Sequence, residues 1–146
     1  MRPRLADMVF ALFLLALAGP GLAGDDQFLV EAELWIDGVQ RGSPRLLIAS
    51  GIEADVMVAG PNEVWRLTVE VEPVEDAYAP ANTLWLHLAV HQRTVEDWDH
   101  LADSLLGVPA GEWATLSVVD GDAESTPETA AVYLRVRTSR AVIPEA

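Results

Sequence analysis

The sequence predicts an all-β fold, a single antiparallel β-sandwich of about eight strands. Three observations predict it. In Val64 to Glu72, Trp65, Leu67, Val69 and Val71 alternate with Arg66, Thr68, Glu70 and Glu72. Strict alternation marks a half-buried strand, because successive side chains point to opposite faces. The same pattern recurs along the chain, with Gly, Pro, Asn and Asp separating the runs. Finally, the two halves, roughly 27–73 and 83–137, carry similar runs in the same order.

In chain order, Gln27 to Ile36 places Phe28, Val30, Ala32, Leu34 and Ile36 on one face and Leu29, Glu31, Glu33 and Trp35 on the other. Asp37-Gly38 then signals a turn, and Arg41 to Pro44 reads as loop, since proline cannot donate to a central ladder. Arg45 to Ala49 is a short strand. Glu53 to Val58 is another, with Ala54, Val56 and Val58 aligned, and Ala59 to Asn62 turns the chain into Val64 to Glu72. Pro73 to Asn82 is a linker or long crossover. In Thr83 to His91 the core row is Leu84, Leu86, Leu88 and Val90, opposite Trp85, His87, Ala89 and His91. Val95, Trp98 and Leu101 recur at helical spacing behind a Thr94/Asp97 cap, which predicts a short helix near 94–101. Ser104 to Gly107, Glu112 to Val119 and Thr129 to Arg137 are the remaining strands, and the tail from Thr138 reads as frayed.

Residues 1–23 have the form of a secretory signal peptide. Arg2 and Arg4 precede the apolar run Met8 to Ala18, Gly19-Pro20 breaks it, and Gly21 and Ala23 are small residues at the positions a signal peptidase requires. Eleven apolar residues are too few to cross roughly 30 Å of hydrocarbon as a helix. The expected mature chain, 24–146, is a single domain in the periplasm or outside the cell. The formal net charge is −14, and cleavage removes two arginines and one aspartate, leaving the chain one unit more acidic. Such a chain, without a basic run, repels nucleic acid and anionic lipid. It has no cysteine, so neither disulfides nor a lipidated cysteine anchor it, and packing alone must hold the fold.

Gly51 to Gly60 resembles Gly111 to Gly121, each behind a Leu-Leu pair (Leu46-Leu47, Leu105-Leu106). The alternating strands Val64 to Val69 and Ala131 to Val136 follow, and Leu34-Trp35-Ile36 upstream matches Leu84-Trp85-Leu86. Halves of this size are marginal alone, whereas a shared two-layer core is not. That favours one immunoglobulin-like sandwich built from duplicated halves. The run Ser43 to Leu47, Gly51, Val56 to Val58 and Leu67 to Pro73 resembles small β-rich repeats in extracytoplasmic parts of proteobacterial membrane proteins, such as tails of antibiotic-sensing metallopeptidase regulators. The resemblance implies an accessory or sensing module. It brings no peptidase activity, because the histidine-glutamate zinc motif is absent.

Metal and catalytic chemistry find little support. His87 and His91 share a strand face but stand about 13 Å apart at roughly 3.3 Å per residue, too far for one ion. His91 or His100 with Asp97, Asp99 or Asp103, and the acidic loop Asp120, Asp122 and Glu124, offer candidate metal ligands. Solvated side chains account for both groups more simply, since the loop lacks a complete calcium-binding pattern. No metal or other cofactor is expected. Nucleophile elbows, cysteine and lysine are missing, so an enzyme is the lesser reading. Trp35, Trp85 and His87 are the candidate binding residues, on rows opposite the apolar ones, where a sandwich is normally wet. The expected function is a non-enzymatic module that engages a protein partner. The alternative is a secreted carbohydrate-binding or carbohydrate-cleaving domain.

Overall fold

The computed structural model describes residues 27–141. The predicted signal peptide, 1–23, lies outside the described residues. Nine strands follow one another: β1 (Gln27–Ile36), β2 (Val39–Gly42), β3 (Arg45–Ala49), β4 (Ala54–Ala59), β5 (Val64–Pro73), β6 (Thr83–Arg93), β7 (Trp98–Pro109), β8 (Trp113–Val118) and β9 (Val132–Arg140). They form two antiparallel sheets. The first runs β2-β1-β9-β8, with β3 also on β1; the second runs β4-β5-β6-β7. The inward rows of both meet in one core that includes Phe28, Leu34, Trp65, Leu67, Leu86, Leu88 and Leu134. This is the all-β sandwich that the alternation predicts, and it is compatible with the immunoglobulin-like class.

The ninth strand arises from a break. Strands β2 and β3 lie end to end along the same edge of β1, interrupted at Ser43-Pro44, where the Ala32 amide donates to the Pro44 carbonyl at 3.0 Å. Pro44 has no amide of its own to give. In the second half the equivalent edge is the unbroken β7.

The pairing of one sheet maps onto that of the other. If Phe28 is equated with Leu84, Leu46 with Leu106, Ala54 with Ala114 and Leu67 with Leu134, then β1, β3, β4 and β5 become β6, β7, β8 and β9. The pair Phe28↔Ile48 becomes Leu84↔Val108, and Ala54↔Val69 becomes Ala114↔Val136. Ala32↔Val136 becomes Val69↔Leu88. The register irregularity between Leu34 and Trp35 falls where the other sheet has one between Val90 and His91. Hydrogen bonds correspond too. The Gly51 amide donates to the Val71 carbonyl at 2.8 Å and the Gly111 amide to the Thr138 carbonyl at 2.7 Å. Both glycines have positive φ, 75° and 86°, which glycine adopts without a Cβ penalty. Each sheet therefore takes strands from both halves, and neither half owns a sheet.

Register corrects parts of the sequence reading. Trp35 corresponds to His91, not to Trp85, whose counterpart is Leu29. Leu46 corresponds to Leu106, one residue along from the predicted match. The helix near 94–101 is absent: residues 94–97 form a bend, and β7 starts at Trp98, which pairs with Arg93. Val95 is 83% exposed, so the helical stripe has nothing to bury against, whereas strand pairing with β6 satisfies the backbone. The predicted strand Ser104 to Gly107 is the middle of this longer β7. Thr138 is not frayed; it is buried within β9.

Candidate functional site

Outward residues make two chemically different faces. On the first sheet the face is closed on itself. Arg137 Nη2 and Nε donate to Glu31 Oε1 at 2.8 and 3.0 Å, Arg45 lies 3.6 Å from the other Glu31 oxygen, and Arg135 Nη1 donates to Glu33 at 3.1 Å. The guanidinium carbons of Arg135 and Arg137 stand 4.1 and 4.8 Å from the Trp113 ring centre. Trp35, at the end of this face, packs edge-on against Tyr133 with ring centres 5.7 Å apart.

The second sheet is different. Its outward rows place Glu72 beside Trp85 beside Gly107, and Glu70 beside His87 beside Leu105. Glu70, Glu72, Trp85, His87 and Leu105 line a depression of ≈ 230 Å³. Trp85 is 45% and Leu105 61% exposed, large apolar surface where a sandwich is usually polar. Gly107 explains how the indole lies: a β-carbon there would meet ring atom Cζ3 at 3.2 Å, so the bare backbone lets the ring lie across β7. Burial, and after it the hydrogen bond and the charge of Glu72, raise the Glu70 carboxyl above its usual range; Glu53 adds to this and His87 opposes it. Among the described residues no guanidinium forms a salt bridge to either carboxylate.

Beyond the depression the face turns basic and aromatic. Arg66 and Arg93 stand over the Trp98 ring, at 4.5 and 5.0 Å. His91 and His100 meet edge-on with centres 5.3 Å apart, and His100 Nε2 lies 3.1 Å from Asp103 Oδ2. Burial, then Arg66, then His100 lower the pKa of His91, and its Nδ1 has no hydrogen-bond partner among the described residues.

The fold brings Trp85 and His87 together but leaves Trp35 on the outer face of the other sheet, so Trp35 and Trp85 form no common surface. His91 and His100 do meet, yet no three metal-ligating side chains converge on an ion's position among the described residues. Asp120, Asp122 and Glu124 are exposed in the loop between β8 and β9, where the Ala123 amide donates to the Asp120 carbonyl at 3.0 Å. Glu70, Glu72, Leu105 and Gly107 escaped the sequence reading. The signal available was that Glu70 and Glu72 alternate outward on the central strand; only the register joins them to Trp85.

Comparison of the chain with protein-family models, curated proteins and solved structures finds no match. Among the described residues no helix is long and apolar enough to cross a membrane.

Proposed function

We propose that the protein is an exported, non-enzymatic accessory module that binds a protein partner through the outer face of its second sheet, centred on Trp85. The observation that carries this reading is the contrast between the two faces. On the first sheet the Glu31 and Glu33 carboxylates are paired with the chain's own arginines, and two of these, Arg135 and Arg137, stack on Trp113, which stays 37% exposed. On the second, Trp85 stands exposed beside two carboxylates without such cover. Exposed indoles flanked by polar groups are the anchors that dominate protein interfaces. Export is supported by the form of residues 1–23, and an accessory or sensing role by the resemblance of the first half to extracytoplasmic β-repeats.

A photo-crosslinking amino acid at Leu105, and separately at Tyr133, tests the reading in cells of the source organism. Crosslinks to a protein at Leu105 and not at Tyr133 are expected. Equal labelling at both positions, or none, overturns it. A tryptophan beside paired carboxylates also suits a sugar ring, the second reading. Binding of an oligosaccharide that Trp85→Ala abolishes would favour that reading instead.

A further inference from the structure

We infer that the Trp85 depression receives the guanidinium of an arginine side chain on the protein partner. This rests on the proposed protein-binding role and names the chemistry of the contact.

The two sheets are equivalent in register but not in the residues that fill equivalent places. Under the register correspondence, Glu70 stands where the first sheet has Arg137, Leu105 where it has Arg45, His87 where it has Glu31 and Glu53 where it has Trp113. In the first sheet that place is filled from within, by guanidiniums between a carboxylate and an indole, the Arg137–Glu31 bonds being 2.8 and 3.0 Å. In the second sheet both internal arginines are replaced. Their partners are replaced as well, and a different set of carboxylates and a different indole line the place: Glu70, and Glu72 and Trp85 where the first sheet has Ser139 and Leu29, with the volume between them open. The acceptors and the stacking surface are present, and among the described residues no guanidinium pairs with the carboxylates; His87 is the basic side chain that lines the depression.

Size and charge agree. The opening of ≈ 230 Å³ lies below the roughly 300–1,000 Å³ of small-molecule sites, so it suits one side chain better than a whole ligand. Burial, then the hydrogen bond and charge of Glu72, and last the charge of Glu53 displace the Glu70 pKa upward, with His87 opposing, and an incoming cation relieves the part due to like charge. Arginine fits better than lysine, because its planar fork donates to two carboxylate oxygens while its face lies on an indole. The wall formed by Trp85 and Leu105 takes the methylenes of the same side chain.

The test is an NMR titration of the protein with three blocked peptides, Gly-Gly-Arg-Gly-Gly, its lysine analogue and its citrulline analogue, the last being isosteric with arginine but uncharged. The arginine peptide should shift the Trp85 indole and Leu105 methyl signals, and citrulline should bind about tenfold more weakly or worse. Lysine should fall between them. Glu70→Gln/Glu72→Gln should lose at least about tenfold in arginine affinity while its thermal midpoint holds, because both side chains lie at the surface. Equal binding of arginine and citrulline, or shifts centred on Tyr133 and Trp113, overturns the inference. If the arginine peptide fails but the Leu105 crosslink forms, the arginine contact is wrong and the protein-binding role stands. If no Leu105 crosslink forms and an oligosaccharide binds at Trp85, the protein-binding role is wrong as well.

Discussion

The ring of Trp85 lies across Gly107 on the neighbouring strand, with ring atom Cζ3 3.2 Å from where a β-carbon would stand. That contact is tight but confined to a half-exposed side chain. Gly107→Ala should therefore tilt the indole out of the depression without unfolding the sheet. The expected outcome is a changed Trp85 indole signal, weakened partner binding and a thermal midpoint close to that of the parent. Unchanged binding with a displaced ring would show that the indole is not an anchor.

Leu67 and Trp85 separate the core from the face. Leu67 is fully buried on β5, so Leu67→Ala should cost about 2–5 kcal/mol through lost burial and the cavity it leaves. Trp85→Ala should cost about 1 kcal/mol or less, as surface changes usually do, while abolishing binding. Trp35→Ala should lie between the two, since its edge-on contact with Tyr133 adds roughly 0.5–1.5 kcal/mol to ordinary burial. Urea melts of the three variants order them. A Trp85→Ala loss as large as that of Leu67→Ala would make the indole a core residue.

Thr138 occupies the place that Val71 holds in the other sheet, and its buried hydroxyl has no hydrogen-bond partner among the described residues. Removing an unsatisfied buried hydroxyl while keeping the shape favours the folded state. Thr138→Val should stabilise the protein by about 1 kcal/mol, and Val71→Thr should destabilise it. A less stable Thr138→Val protein would mean that the hydroxyl is bonded in solution.

His91 should make the fold sensitive to mild acid. Burial, followed by Arg66 and His100, hold its pKa below the ordinary 6.5, with Asp55 and Asp103 opposing them. The unfolded chain therefore takes up this proton first as pH falls. The stability associated with the neutral ring is complete above pH 6.5 and is lost as pH drops through the lower folded-state value. Chemical denaturation from pH 7 downward should show this loss beginning near 6.5, and His91→Gln should flatten it. An identical slope in the variant would assign the loss to other groups.

Cutting the chain between its halves should destroy both sheets. β1 would lose β9 and β5 would lose β6, the pairings at the middle of each sheet. Residues 24–73 and 82–146 expressed separately should each be unfolded by circular dichroism and hydrogen exchange. Two independently folded fragments would contradict the shared core.

The alternation of side chains determined which residues face the core. Leu84, Leu86, Leu88 and Val90, and Trp65, Leu67, Val69 and Val71, are buried as their spacing predicts, because a strand's period of two is a local property of the backbone. The break at Pro44 was legible because proline lacks the amide a ladder needs, although Arg41 and Gly42, read as loop, belong to β2. Neighbours across strands were not legible. Glu70 meets His87 and Glu72 meets Trp85 only through the β5–β6 register, and the helical spacing of Val95, Trp98 and Leu101 yielded to pairing of β7 with β6. Register depends on how two inward rows fit one core and where a bulge falls, quantities set by residues far apart in the chain. The core was therefore written in the sequence, whereas the depression at Trp85 exists only where three strands, β5, β6 and β7, have already been placed side by side.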